Sequence, residues 1–129
     1  AVLGVTYAGE KRSALLTVSL EDRLRISGAS QGPLTVGTAR WMFMQGVYGV
    51  ASADTGTLTM VIEDQAGAII HTSAPVTFPR GGDHYVIWTP VTPRAGTTRV
   101  CQKAVLEIGA RTITAVPESS LVACFDVWP

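Results

Sequence analysis

Residues 57–73 read Thr-Leu-Thr-Met-Val-Ile-Glu-Asp-Gln-Ala-Gly-Ala-Ile-Ile-His-Thr-Ser, and this stretch decides the fold class. Leu58, Met60 and Ile62 share one parity, which is the two-residue period of a half-buried strand. Residues 64–67 (Asp-Gln-Ala-Gly) fit a type I turn with glycine in the left-handed position. Residues 68–73 then run back along the first segment. The stretch therefore predicts an antiparallel β-hairpin.

Glycine and proline punctuate the rest of the chain regularly, which is typical of all-β proteins. Residues 40–48 are apolar on both faces and predict a central strand, in which Gly46 indicates a bulge or close packing. A short helix is the alternative for residues 13–27, because leucines recur there at every fourth position. The other predicted strands are 13–20, 22–27, 84–89, 97–108, 112–116 and 121–127, with a short edge piece at 76–78.

The chain has 129 residues and is rich in Val, Thr and Ile, which favour strands. This length predicts a single domain over residues 1–129. Hydrophobic residues make up 47% of the chain, enough for a packed core. We expect an antiparallel β-sandwich, immunoglobulin-like in broad architecture, with a closed β-barrel as the alternative.

Ten basic residues balance ten acidic ones, so the formal net charge is zero. A chain without net charge lacks the broad positive field that attracts phosphate backbones, and we expect no nucleic-acid partner. No apolar run is long enough for a transmembrane helix. We also expect a mature form, from which any targeting segment has been removed.

The two cysteines, Cys101 and Cys124, lie on the faces of their predicted strands opposite the apolar stripes. If these strands pair antiparallel, the two residues stand opposite each other and a disulfide forms. If residues 111–116 lie between them, the gap is roughly two strand spacings, or about 9.6 Å, and a disulfide is impossible. An even cysteine count in a small β protein favours the bond and a secreted or periplasmic location.

Asp54-Thr55-Gly56 resembles the catalytic loop of the aspartic proteases. The small retroviral-type members of that family are all-β homodimers, in which one aspartate from each subunit shares a proton across the dimer axis. The segment over residues 106–111 loosely resembles their later apolar-glycine segment. The resemblance implies a dimeric protease with Asp54 as the catalytic residue. The alternative is an exposed turn before the strand that starts at Thr57.

The remaining chemistry-bearing residues form no recognisable catalytic motif. Neither His71 nor His84 lies in a nucleophile context, and no Gly-x-Ser-x-Gly occurs. Three methionines and the two histidines are the ingredients of a soft copper site, but Met on an apolar strand more commonly fills the core. We therefore expect no metal and no cofactor.

Aromatic residues and loops carry the binding prediction. Trp88 is our choice for the core, whereas Tyr85 and Trp128 are candidates for exposure. Loops 28–33, 49–56, 79–84 and 90–96 are the predicted recognition segments, since loops on a rigid scaffold commonly bind ligands. The predicted binding residues are Arg80, Asp83, His84, Tyr85, Arg94 and Trp128.

Three functions are compatible with these features. The first is a secreted, non-catalytic binding or accessory module that recognises a protein or a glycan through its loops. The second is the dimeric protease that uses Asp54. The third is a structural subunit that assembles through its sheet edges, which zero net charge would favour.

Overall fold

The computed structural model describes residues 21–129, and every regular element in that range is a β-strand. The strands form one open sheet, in which all pairings are antiparallel except that of β2 with β8. The all-β prediction is confirmed, whereas the immunoglobulin-like sandwich stays a prediction. The strands are β1 (Arg23–Ala29), β2 (Leu34–Thr35), β3 (Arg40–Asp64), β4 (Ile69–Thr72), β5 (Val76–Val91), β6 (Arg99–Ile108), β7 (Arg111–Ala115) and β8 (Cys124–Trp128).

The strand predicted over residues 13–20 lies outside the described residues. Among residues 21–129, no helix exists that is long and apolar enough to cross a membrane.

The long strand β3 organises the sheet. Its first half, residues 40–50, lies between β1 and the second half of β5. Its second half, residues 57–64, pairs with β6 along one edge and with β4 and the start of β5 along the other. The prediction of a central strand at 40–48 is confirmed, but the strand continues well beyond Tyr48.

The two halves of β3 meet at an irregularity. Residues 51–54 stand opposite Arg80 alone, so the backbone bulges without leaving the sheet. The predicted loops at 49–56 and 79–84 are therefore wrong, as are the turns predicted at Asp54 and at residues 80–83. Glycine and aspartate signal turns in sequence, but a bulge within a long strand also accommodates them.

The hairpin prediction is confirmed. Gly67 has a φ of 82°, and its N–H donates to the Asp64 carbonyl at 3.0 Å. The Asp64 carboxylate caps the turn by accepting hydrogen bonds from the N–H groups of Ala66 and Ala68. The returning strand pairs Thr72 with Val61 and His71 with Ile62.

One apolar core lies on the inner face of the sheet. Met42, Met44 and Met60 are completely buried, which confirms that the methionines pack the core. They are joined by alternate residues of the neighbouring strands. Among these are Ile26, Leu34, Leu58, Ile62, Ile87, Val91, Val100, Leu106 and Ile108.

Cys101 and Cys124 form a disulfide, as the antiparallel alternative predicted. The two cysteines are register partners between β6 and β8. Strand β7 does not intervene, because it pairs with residues 104–108 farther along β6.

Candidate ligand-binding face

The residues predicted to bind a ligand do not form one site. Arg80 donates to the Asp54 carboxylate at 3.0 Å, and that carboxylate is 97% exposed. The Asp83 carboxylate accepts a hydrogen bond from the His84 N–H. Arg94 lines a different groove, beside Ile69 and Thr97. The predictions therefore scatter over several surfaces.

Trp128 is 59% exposed, as expected from the sequence. It lines a third concavity, together with Pro33, Arg99, Phe125 and Asp126. This concavity adjoins the end of the sheet where β2 and β8 pair.

Tyr85 is buried, so the prediction of its exposure is wrong. Its hydroxyl donates to the Arg25 carbonyl at 2.8 Å. Burial of the ring raises the pKa of the Tyr85 phenol. The phenol thus holds β1 against β5 and has its polar end satisfied inside the protein.

Trp88 faces solvent instead. The side chains of β5 that point into the core are those of Tyr85, Ile87 and Val91. The prediction of a core Trp88 is therefore wrong. Both parities of this segment are apolar, so the sequence alternation alone does not identify the inner face.

The exposed aromatic residues gather on the outer face of β3 and β5. Trp41 is 62% exposed, Trp88 is 57% exposed and Val86 is 55% exposed. Phe43 lies opposite Trp88 in the register, and their ring centroids are 5.1 Å apart with the planes tilted by 39°. Pro90 lies opposite Trp41. We call these five residues the aromatic face.

The aromatic face is contiguous and lies within strands rather than in loops, at the start of β3 and the end of β5. Single exposed apolar residues are ordinary, but a contiguous patch commonly marks a binding surface. The inner positions between these residues hold Met42, Met44 and Ile87, which are buried. The core requirements of this segment are thus met without any outward aromatic side chain.

A polar concavity of about 240 Å³ adjoins the aromatic face. The polar residues of its lining are Ser27, Gln45 and His84, and Gly46, Tyr85 and Val86 complete it, so that part of the lining is apolar. The three polar side chains can donate and accept hydrogen bonds. Together with the aromatic face they form a surface that is apolar at one end and carries hydrogen-bonding side chains at the other.

Two glycines shape this concavity. A Cβ on Gly46 would lie 1.9 Å from the Arg25 carbonyl oxygen, so only glycine allows β1 to approach β3 here. A Cβ on Gly28 would lie 2.7 Å from the Gln45 side chain. The register of β1 against β3 shifts between Ile26 and Gly28, at Ser27. The bulge predicted at Gly46 therefore occurs on the neighbouring strand, and Gly46 itself provides close packing.

Asp22 fastens the bulge of β3. Its carboxylate accepts hydrogen bonds from the N–H groups of Ala51 and Ser52, from the Ser52 hydroxyl and from Arg111. The Ser52 hydroxyl makes the largest contribution to lowering the pKa of Asp22, and the two N–H groups add to it, so that the pKa falls to about 2. This carboxylate therefore joins the segment before β1 to β3 and β7 by accepting hydrogen bonds from both strands.

Sequence reasoning missed the aromatic face as a site, although it noted each tryptophan. The available signal was the segment 40–48, where both parities are apolar. Only one side of a strand in a single sheet can face the core, so the surplus aromatic residues had to lie outside. Within residues 21–129, no three His, Cys, Asp or Glu side chains come together as a metal site.

No protein-family model matches the chain, and no curated protein matches it significantly.

Proposed function

We propose that the protein is a non-catalytic binding module whose recognition surface is the outer face of β3 and β5. The observation that carries this proposal is the contiguous exposure of Trp41, Trp88 and Val86 beside Phe43. Aromatic side chains give large contact areas at low entropic cost, which is why they dominate binding surfaces. The recognition surface thus moves from the loops expected from the sequence to a rigid sheet.

The Cys101–Cys124 disulfide supports an exported location, because such bonds persist in oxidising compartments. A secreted or periplasmic binding module therefore remains the function that we favour. Its partner is a protein or a glycan.

The test compares the face with the predicted loop residues. One variant carries Trp41→Ala and Trp88→Ala, and a second carries Arg80→Ala, Asp83→Ala and Arg94→Ala. Both are screened with the wild type against immobilised glycans and proteins. We expect the first variant to lose the ligands of the wild type and the second to keep them. The opposite result would assign recognition to the exposed polar residues and reject the face.

The protease and the structural subunit stay predictions. A protease dyad needs two carboxylates that share a proton, whereas Asp54 is paired with the guanidinium of Arg80. The candidate edge for assembly is that of β5, because β5 pairs only with β3 among the described strands. Concentration-dependent light scattering of the wild type tests that assembly, and its absence would reject it.

A further inference from the structure

The aromatic face and the polar concavity lie side by side on the same two strands. Val86 borders both, and Gln45 follows Phe43 at the next outward position of β3. A ligand lying along the strands therefore meets aromatic rings first, then an amide, a hydroxyl and an imidazole. Such a ligand matches this surface if it carries apolar area for the rings and hydrogen-bonding groups for these three side chains.

The dimensions of the face limit the ligand further. Residues 41–45 and 86–90 cover roughly 17 Å along the strands and 10 Å across them. A stable protein interface buries about 800 Å² on each partner, several times the area of this rectangle. The aromatic face is thus small for a protein partner and well matched to a short, extended chain of rings.

The absence of charged side chains from the aromatic face also argues for a short chain of rings over a charged ligand. The outward residues of β3 and β5 in this region include no Asp, Glu, Lys or Arg. On the adjoining strand, Arg25 is held by Glu118 in an ion pair of 2.5 Å. A strongly charged peptide or an anionic membrane surface finds little electrostatic complementarity here. A neutral, hydroxyl-rich ligand is therefore favoured.

We infer that the ligand is a β-linked polysaccharide, whose pyranose rings stack on Trp41 and Trp88 while its hydroxyls bond to Gln45 and His84. Each pyranose has an apolar C–H face and a rim of hydroxyls, which correspond to the two ends of this surface. Among such chains, those with β-1,4 linkages are extended and ribbon-like, which fits aromatic residues aligned along two paired strands. This inference rests on the proposed function, since it names the ligand of the same face.

The test measures retention of the full chain on cellulose, chitin and xylan, three polysaccharides of β-linked pyranoses. The variants are Trp41→Ala with Trp88→Ala, Gln45→Ala, and the matched control Trp128→Ala, which removes an exposed tryptophan elsewhere. We expect the wild type and the control to be retained on at least one polysaccharide. The double variant should bind at least tenfold more weakly, and Gln45→Ala should weaken binding severalfold. Unchanged circular dichroism shows that each variant is folded.

Retention of the double variant equal to that of the wild type would overturn the inference, as would failure of the wild type on all three polysaccharides. Sedimentation velocity and flotation with anionic phospholipid vesicles then separate this failure from that of the proposed function. If the double substitution abolishes self-association or vesicle binding, the face is a binding surface for another partner. If it changes none of the three measurements and also leaves the result of the screen against immobilised proteins and glycans unchanged, the proposed function fails as well.

Discussion

The two halves of β3 have the same kind of apolar inner face but different outer faces. Inside, both halves present buried apolar side chains, such as Met44 in the first and Met60 in the second. Outside, the second half presents Thr57, Thr59 and Glu63 around a buried Val61, whereas the first presents Trp41 and Phe43. The inner face is therefore what folding requires. The apolar outer face of the first half is an addition, which we interpret as the binding surface.

The charged residue on the outer face of the second half is paired with a neighbouring strand. Glu63 and Lys103 form an ion pair of 2.7 Å between β3 and β6. Cross-strand pairs of this kind stabilise a sheet modestly and keep its surface hydrated. The contrast between the halves thus separates residues that hold the fold from residues available for recognition, and it can be tested.

The largest effect is expected from the inner face of the first half. Met44→Ala should lower the free energy of unfolding by about 2–5 kcal/mol, because it leaves a cavity in a fully packed core. Trp41→Ala, one of the outward neighbours, should cost less than about 1.5 kcal/mol. Urea unfolding followed by circular dichroism measures both. Equal losses would show that the aromatic face holds the fold together, and would remove the contrast.

A smaller effect is expected from the disulfide, which joins β8 to β6, the neighbour of the second half of β3. Replacing both Cys101 and Cys124 by alanine should cost about 3 kcal/mol, because the bond closes a loop of 23 residues in the unfolded chain. The loss of hydrogen-exchange protection should centre on β8 and β6 and spare β1 and the first half of β3. Uniform loss over both halves would mean that they unfold as one unit.

The smallest effect concerns the junction between the halves. The pKa of Asp22 is lowered to about 2, so its hydrogen bonds stabilise the folded state above the ordinary carboxyl pKa of about 4. This stabilisation disappears as the pH falls from about 4 to about 2. Asp22→Asn should therefore be less stable than the wild type at pH 7, and the difference should shrink towards pH 2. A difference that is constant with pH would show that the charge of Asp22 is irrelevant.

The local features that depend on short-range sequence were predictable. The hairpin around Gly67 follows from alternation and a turn of four residues. Strand parity permitted the Cys101–Cys124 bond, but only the pairing of β6 with β8 decided between it and an intervening strand. The extended strand through Asp54 was not predictable, because glycine and aspartate mark both turns and bulges. Only the register between β3 and β5 distinguishes the two.

The candidate site escaped prediction for a related reason. In the segments around Met44 and Ile87 both parities are apolar, so the side that faces the core is a property of the whole sheet. Residue size favours Trp88 over Tyr85 for the core. In the structure, however, the buried Tyr85 hydroxyl donates a hydrogen bond to the Arg25 carbonyl. The Tyr85 ring is therefore buried with its polar end satisfied, which residue size alone does not reveal.

The placement of the three tryptophans has a spectroscopic consequence. Trp41, Trp88 and Trp128 are the only tryptophans of the chain, and each is more than half exposed. Their indoles are therefore in contact with water in the folded state, and their emission maximum should shift little on unfolding. The emission maximum should therefore report denaturation poorly in this protein. It should respond instead to a ligand or partner that covers the tryptophans.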